Sequence, residues 1–452
     1  MLRQPPDHLL ACPNCQANTD GGFSPARQSC SACGQQFFDL QGMPCWFDVG
    51  LSQQRLWESL YALAIRSGEH NLERNRQRNL SDMLPSSVRR IQTMDNINNG
   101  IVEAMDVLLK DMGLNKTIHP EFANYDPSRM LQYFELLLRD WAWDEARAVA
   151  GSENARELER VAAAHAATGK PMGDTWVIGA GAGRLSADLH HALQPRHTVA
   201  LDTNPVLISC AHRLVAQQRA WQLPEIHPGP QIGIPLTHVW PMQVPDYEPA
   251  RMATWYAMAG NAWRPPLKKH SFDTIVTPWF MDVNGREVRE LIGQVQRYLK
   301  PGGVWINTGP LLYGPDITDV HRYSHAEIIE LLELAGFKVV YQNHVQSAYL
   351  DTPLSEEKRI EQIWTFAATA PDHFPPAYPD TQPPAWIVLP HLPIPADQAL
   401  NAHGNPVLEH LVAQVDGQTC INDIADIMRP NLAEDKNPLE VVRGAFLEYL
   451  LK

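Results

Sequence analysis

Three glycines at alternate positions, Gly179, Gly181 and Gly183, followed 19 residues later by Asp202, are the residues best placed to hold a ligand. They lie in the stretch Thr175 to Asn204, where a short apolar strand enters the turn, a helix follows, and a second apolar strand ends at Asp202. Glycine accepts backbone angles that a β-carbon forbids, and it lets a ligand come close to the chain. A carboxylate at the tip of the next strand can accept charge-assisted hydrogen bonds from two ribose hydroxyls. Strand, glycine turn, helix and acidic strand end, in that order, make a nucleoside grip that serves NAD as readily as other nucleoside cofactors. A βαβ turn with no ligand is the alternative.

Two further groups of residues carry chemistry. Cys12-Pro-Asn-Cys15 and Cys30-Ser-Ala-Cys33 are paired knuckles separated by 14 residues. Each pair turns two thiolates to one point, so the two together can close a tetrahedral Zn2+ site. Four cysteine ligands leave no open coordination position, which makes such a zinc structural, and its binding energy would fold a segment with little core of its own. For either pair alone a redox CxxC is the rival. Asp282 is the other candidate: it follows an apolar strand, Phe272 to Thr277, by way of Pro278-Trp279-Phe280-Met281. Ligands of open α/β sheets bind beyond the carboxyl ends of the strands, so Asp282 can orient or deprotonate a substrate there. His321 and His325 are spaced i,i+4, but Ser324 reads as a helix N-cap between them and no third ligand is in sight, so a metal pair is not expected.

The elements that must position these groups follow from periodicity. From about Leu51 to Thr168 apolar residues recur at three and four, as in Met130, Leu131, Phe134, Leu137, Leu138 and Trp141, predicting helices broken near Pro120 and at Tyr125 to Ser128. A helix is expected over Val206 to Gln218, and Trp221 to His270, rich in proline and tryptophan, reads as an irregular insertion. Order returns with the strand at Phe272, a helix through Arg289 to Leu299, a Lys300-Pro301-Gly302-Gly303 stop, and a strand over Val304 to Asn307. Ser324 with Glu327 forms a capping box for a helix ended by Gly336, and Phe337 to Gln342 and Ile363 to Thr369 predict two last strands. Nine prolines within Pro371 to Pro395 mark a linker.

The expected organisation is therefore a zinc ribbon over 1–50, a helical cap over 51–170, an α/β Rossmann-like domain over 171–370, a proline-rich linker over 371–396 and a small helical, winged-helix-like module over 397–452. That last module would bind a peptide or protein partner, or serve only as a stabilising appendage. The formal charge of −14 argues against a general grip on nucleic acid. No apolar run has the length of a membrane span, and the opening stretch lacks the apolar core of a signal peptide, so a cytoplasmic location is expected. Cys45, Cys210 and Cys420 are too scattered for a disulfide framework.

Taken together, the glycine turn, Asp202, Phe272-Asp273 and the Leu299-Lys300-Pro301-Gly302-Gly303 turn resemble class I S-adenosylmethionine-dependent methyltransferases. More narrowly, the chain resembles the carnosine N-methyltransferase (N2227-like) family over roughly Asp82 to Ala370. The residues that carry this are Arg139-Asp140-Trp141, the glycine turn continuing into Arg184-Leu185, Asp282, the run Trp305 to Tyr313 ending Gly-Pro-Leu-Leu-Tyr, and Ser347-Ala348-Tyr349.

The resemblance implies S-adenosyl-L-methionine held by Gly179, Gly181, Gly183, Arg184, Asp202 and Asn204. It implies methyl transfer to the imidazole of a histidine-containing small molecule or peptide. Asp282 would share the proton of the second ring nitrogen, with Tyr313 and Tyr349 orienting the ring. Gly314 stands where the family carries a substrate-binding histidine, and His321 is the residue downstream that could replace it. The gap opens the acceptor to histidine derivatives other than carnosine, thiohistidines and peptidyl histidines among them. The competing readings are an RNA base methyltransferase whose ribbon recognises substrate, and a scaffold that binds cofactor without turnover.

Overall fold

The computed structural model describes residues 2–144, 151–227, 236–314, 317–355, 357–374, 385–388, 390–391, 393–396, 398, 400–402, 404–433 and 436–446, with the backbone alone at 128–133. The chain divides into two compact units, Met1–Ala377 and Tyr378–Lys452.

In the first unit the N-terminal segment forms β1 (Phe23–Ser24), β2 (Ser29–Cys30), β3 (Phe38–Leu40) and β4 (Met43–Cys45). Four helices follow: α1 (Leu51–Arg76), α2 (Pro85–Met112), α3 (Ser128–Trp141) and α4 (Glu153–Ala166). Their starts obey local rules, with Pro85 at the first turn of α2 and the Ser152 hydroxyl accepting from Ala155 N at the head of α4. The α/β part alternates β5 (Asp174–Ile178), α5 (Arg184–Leu193), β6 (His197–Asp202) and α6 (Pro205–Ala211). Then come a hairpin of β7 (Trp221–His227) and β8 (Leu236–Met242), followed by β9 (Trp255–Ala259) and β10 (Phe272–Pro278). It ends with α7 (Val288–Tyr298), β11 (Leu299–Gly309), α8 (His325–Leu334), β12 (Lys338–Tyr349) and β13 (Arg359–Thr369).

One sheet of nine strands, ordered β12-β13-β11-β10-β5-β6-β9-β4-β3, organises the unit. Its strands β9, β6, β5, β10 and β11 run parallel, and β13 and β12 close one side antiparallel. Buried on both faces, β5 is buried at all five positions and β10 at all but Asp273, which is why these strands are near-continuous apolar runs. The strand order reverses between β5 and β10, so a crevice opens beyond their carboxyl ends.

Two expectations need correction here. The stretch 221–270 is not irregular throughout: it contains the β7–β8 hairpin and β9, which pairs with β6 from Thr198↔Trp255 to Asp202↔Ala259. Five residues flanked by proline-rich turns give little periodicity to read, and pairing rather than propensity makes β9 a strand. The segment 1–50 does not stand apart either, because β4 lies parallel to β9 at Cys45↔Ala259 and extends the main sheet. In the second unit, α9 (Ala385–Val388), α10 (Pro406–Val412), α11 (Ile421–Met428) and α12 (Pro438–Ala445) enclose a separate core that includes Trp386, Ile394, Ile421, Ile424 and Phe446. Among its described residues the β content is one bridge, Pro393↔Cys420.

The hairpin is fixed by a buried carboxylate. Glu225 Oε2 accepts from Trp143 Nε1 at 2.9 Å and Trp240 Nε1 at 2.6 Å, while Oε1 accepts from Thr352 Oγ1 at 2.5 Å. Replacing Glu225 by alanine strands two buried indole N–H groups, so chemical denaturation should show a loss of about 2 kcal/mol or more. An unchanged midpoint would remove this carboxylate from the account.

Candidate functional site

β5 ends in the glycine turn for steric reasons. Gly179 has φ +65°, and a β-carbon there would lie 2.5 Å from Phe280; Gly183 has φ +83°, and a β-carbon there would lie 2.5 Å from that of Ala211. Gly181, at φ +57°, has no heavy atom within 4 Å of its would-be β-carbon. Two of the glycines thus satisfy packing, and the middle one faces open space.

Asp202 ties this turn to the next strand. Its Oδ2 accepts from Gly181 N at 2.7 Å and its Oδ1 from Asn204 N at 2.7 Å. Burial pushes its carboxyl up to about 6, against the lowering effect of the backbone N–H groups of Asn204, Gly181 and Thr203. Asn204 caps α6 by accepting from Val206 N and Leu207 N, and its buried Nδ2 has no hydrogen-bond partner among the described residues.

Opposite, β10 ends in strained backbone. Trp279 has φ +49°, unusual for an aromatic residue, and is held there by its N–H donated to Thr308 O at 2.7 Å. Gly309 (φ +150°) allows this approach, since a β-carbon would stand 3.0 Å from Trp279 Cα. The Trp279 ring stacks on Tyr349 with centroids 4.5 Å apart and planes 25° apart.

Between these walls lies a cavity of about 580 Å3. Gly179, Gly181, Asp202 and Asn204 line one side, Trp279, Phe280, Val283 and Tyr349 another, and Asn261 and Trp263 a third. Arg139, Asp140, Glu153 and Glu157 complete it. Arg139 Nε donates to Asp140 Oδ1 at 2.7 Å, and its guanidinium lies 6.0 Å from the Tyr349 ring centroid. Burial opposes the charge of Arg139, but Asp140 and Glu153 outweigh it and hold the guanidinium above its usual range. Burial raises the carboxyl of Glu153, with Arg139 pulling the other way. A cavity with an acidic strand tip, an arginine and carboxylates suits a ligand that carries ribose hydroxyls and both signs of charge.

The expected catalytic residues separate into three cases. Tyr349 lines the cavity. Asp282 does not line the cavity, although Phe280 and Val283 on either side of it in the chain do; it is 4 % exposed, its Oδ2 accepts from Leu312 N at 2.8 Å, and its buried Oδ1 has no partner among the described residues. Burial raises its carboxyl, partly offset by the Leu312 N–H. Tyr313 donates to Tyr323 O at 2.7 Å, and burial followed by the nearby Asp282 pushes its hydroxyl well up. His321 lies off the cavity in a short turn at Asp319–His321, its Nδ1 3.0 Å from Thr318 Oγ1 and its Nε2 3.9 Å from Glu287 Oε2, so it does not fill the place of a histidine at Gly314.

Arg184 also leaves the expected cofactor set. Its guanidinium donates to Asp188 at 2.8 Å, Asp140 O at 2.6 Å and Asp144 at 2.5 Å, tying α5 to the end of α3 instead of facing the cavity. Gly183 is likewise a packing residue. The run after β10 borders the cavity as its place at the end of a strand predicts, through Pro278, Trp279 and Phe280, whereas sequence reasoning missed Asn261 and did not single out Trp263.

The four cysteine sulfurs converge, with Cys12 Sγ 3.7 Å from Cys33 Sγ, Cys15 Sγ 3.7 Å from Cys30 Sγ, and all four within 4.8 Å of one another. That spacing fits one tetrahedral ion. A second group, His8, Asp174 and His197, also converges, but Arg196 at 3.0 Å and Lys300 at 3.6 Å already neutralise Asp174.

The strand order and the glycine turn define a class I methyltransferase fold. A model of the carnosine N-methyltransferase family matches residues 116–369, and the chain belongs to that family. The carnosine N-methyltransferase of Mus musculus is 31 % identical over 208 residues, covering 43 % of this chain and 51 % of that protein; the Rattus norvegicus protein is 32 % identical over the same shares. The chain thus spans about half the length of these curated relatives. Among solved structures, an S-adenosylmethionine-dependent methyltransferase from Methanosarcina mazei aligns with TM-score 0.31 and 15 % identity, covering 45 % of this chain and 95 % of that one. N-methyltransferase NodS from Bradyrhizobium japonicum aligns with TM-score 0.30 and 16 % identity, covering 48 % and 98 %. Likenesses this distant carry no functional weight.

The glycine geometry predicts unequal effects of alanine. Gly183→Ala adds an overlap with Ala211 to left-handed strain and should cost about 1–3 kcal/mol more stability than Gly181→Ala, read by denaturant midpoints. Equal losses would contradict the division between packing and open glycines.

Proposed function

We propose that the chain is an S-adenosylmethionine-dependent N-methyltransferase acting on an imidazole nitrogen of a histidine-containing small molecule or peptide. The observation that carries this reading is the cavity between the Gly181–Asp202 grip and the Trp279–Tyr349 stack, lined also by Val283, whose chain neighbour Asp282 keeps a buried Oδ1 with no hydrogen-bond partner among the described residues. The cofactor supplies an electrophilic methyl group on a sulfonium centre.

The chain's own residues do the rest. The cradle at Gly181 leaves room for a nucleoside, and the Asp202 oxygens retain lone pairs for ribose hydroxyls. Buried Asn204 Nδ2 offers a donor to the same ligand. Arg139 faces a ligand carboxylate, while Glu153 and Glu157 suit an ammonium group. On the acceptor side Trp279 and Tyr349 form an aromatic wall for a flat ring. Asp282 Oδ1 accepts the hydrogen bond of one imidazole nitrogen, which fixes the tautomer and turns the lone pair of the other nitrogen toward the methyl group. Burial keeps this carboxyl easier to protonate than an exposed aspartate, which suits a group that shares a proton as the ring gains charge.

The net charge of −14 favours a small acceptor over RNA. A structural Zn2+ held by Cys12, Cys15, Cys30 and Cys33, a cytoplasmic location and a peptide or protein partner for the C-terminal unit belong to the same proposal. No helix among the described residues is long and apolar enough to cross a membrane.

A methyl-transfer screen over carnosine, histidine, thiohistidines and histidine peptides, read by mass spectrometry, should place the added methyl on the imidazole. Asp282→Ala should lower kcat about 10²–10⁴-fold while leaving affinity for S-adenosylhomocysteine unchanged; full activity in that variant would refute the assigned role. Ribose hydroxyls prefer the ionised Asp202, so affinity for S-adenosylhomocysteine should rise as pH passes through about 6. Calorimetry should find binding about tenfold weaker at about pH 5 than at about pH 7.5, with the dependence lost in Asp202→Asn. A flat profile in the native protein would contradict this.

A further inference from the structure

The segment that carries the four cysteines braces part of the cavity wall. The stretch 260–267 holds Asn261 and Trp263 at the cavity, and it is gripped from two sides by the first fifty residues. On one side Leu9 to Ala11, directly ahead of the Cys12 knuckle, bonds to it: Ala11 N donates to Pro266 O at 3.3 Å and Lys268 N to Leu9 O at 2.8 Å, with Leu10 bridged to Leu267. On the other side, just after β4, Trp46 N donates to Ala259 O at 2.9 Å. Asp48 accepts from Asn261 Nδ2 at 3.4 Å and faces Arg264 at 3.8 Å. Gly260 N in turn donates to the backbone carbonyl of Asp202 at 3.0 Å, so the gripped stretch adjoins the residue whose side chain would hold the ribose.

The apolar packing follows the same path. Cys12, Cys30, Phe23, Phe37 and Trp46 share one core with Ile178, Leu201, Ala262 and Leu267. Among the described residues the strands of the N-terminal segment are short: β1 and β2 are two residues each and β3 and β4 three. A single ion joining Cys12 and Cys15 to Cys30 and Cys33 fixes both grips at once, because one knuckle follows Leu9 to Ala11 and the other precedes β3 and β4.

We infer that the four-cysteine site binds a zinc ion that sets the affinity of the cofactor pocket, by holding the 260–267 wall in place. The affinity half rests on the proposed cofactor; the wall half does not. A metal that orders this wall makes binding of metal and cofactor mutually reinforcing, and the factor must be the same in both directions.

The test uses the full chain, first assayed for zinc by elemental analysis. One zinc per chain is expected, and a chain purified without metal and equally protected would overturn the inference. Chelator is then added, and amide hydrogen exchange is followed at Trp46, Gly260 and Lys268 against the β12–β13 amides as a distant reference. Loss of protection at the first three with β12–β13 retained is the expected result. Uniform loss would make the metal a general staple, and no loss would make it irrelevant; either overturns the inference. Zinc removal should weaken S-adenosylhomocysteine about 5- to 150-fold, and that ligand should tighten zinc retention against a competing chelator by the same factor. Cys33→Ser, at the exposed end of the site, should reproduce the loss of affinity with β12–β13 protection intact. A metal-loaded chain that shows the local exchange pattern yet never binds S-adenosylhomocysteine would sink the cofactor reading and leave the wall coupling standing.

Discussion

Two backbone amides on one carboxylate hold the site together. Asp202, at the carboxyl end of β6, accepts from Gly181 N and from Asn204 N, so the turn after β5 and the start of α6 are fixed to the same side chain. In exchange the carboxylate is kept in a poorly solvated position, which pushes its folded-state pKa up to about 6 from the usual aspartate range. The stability it contributes is therefore fully present below about pH 4 and is lost as pH rises through about 6. A charged Asp202 is therefore tolerated near neutral pH rather than favoured, as expected where fold stability is traded for a ligand-binding group.

The rest of the structure serves that arrangement. Arg184 fixes the start of α5 to the end of α3 through Asp140 and Asp144, bringing Arg139 and Asp140 to the cavity from a helix remote in sequence. Glu225 anchors the hairpin, Trp143 and the loop after Tyr349 in one place. The left-handed backbone at Trp279, made possible by Gly309, turns an aromatic ring toward Tyr349. Strain of that kind persists only where surrounding contacts over-determine it. Here an N–H bond to Thr308 and a stacked tyrosine do so.

Much of this was legible in the chain because local rules governed it. The apolar runs of β5 and β10, the glycine turn, the Ser324–Glu327 capping box and the four cysteines each announce themselves within a few residues. What failed depended on distant partners. The resemblance implies Arg184 as a ligand contact, but Asp188, Asp144 and the Asp140 carbonyl claim it. β9 is a strand because β6 and β4 lie beside it. His321 seemed close in sequence to the acceptor side, yet a turn held by Thr318 places it off the cavity. The fold was thus read from periodicity, and the wall at Trp279 from its place at a strand's carboxyl end, whereas the walls at Asn261 and Trp263 needed the sheet to be assembled first.

The central claim, that the crevice between β5, β6 and β10 holds the methyl donor against an acceptor wall, is tested most directly by a crystal structure of the protein with S-adenosylhomocysteine. The account predicts ribose hydroxyls on Asp202, the nucleoside over Gly181, and the sulfur directed to the side of Trp279 and Tyr349. Ligand density elsewhere, or a crevice still empty at saturating ligand, would contradict it.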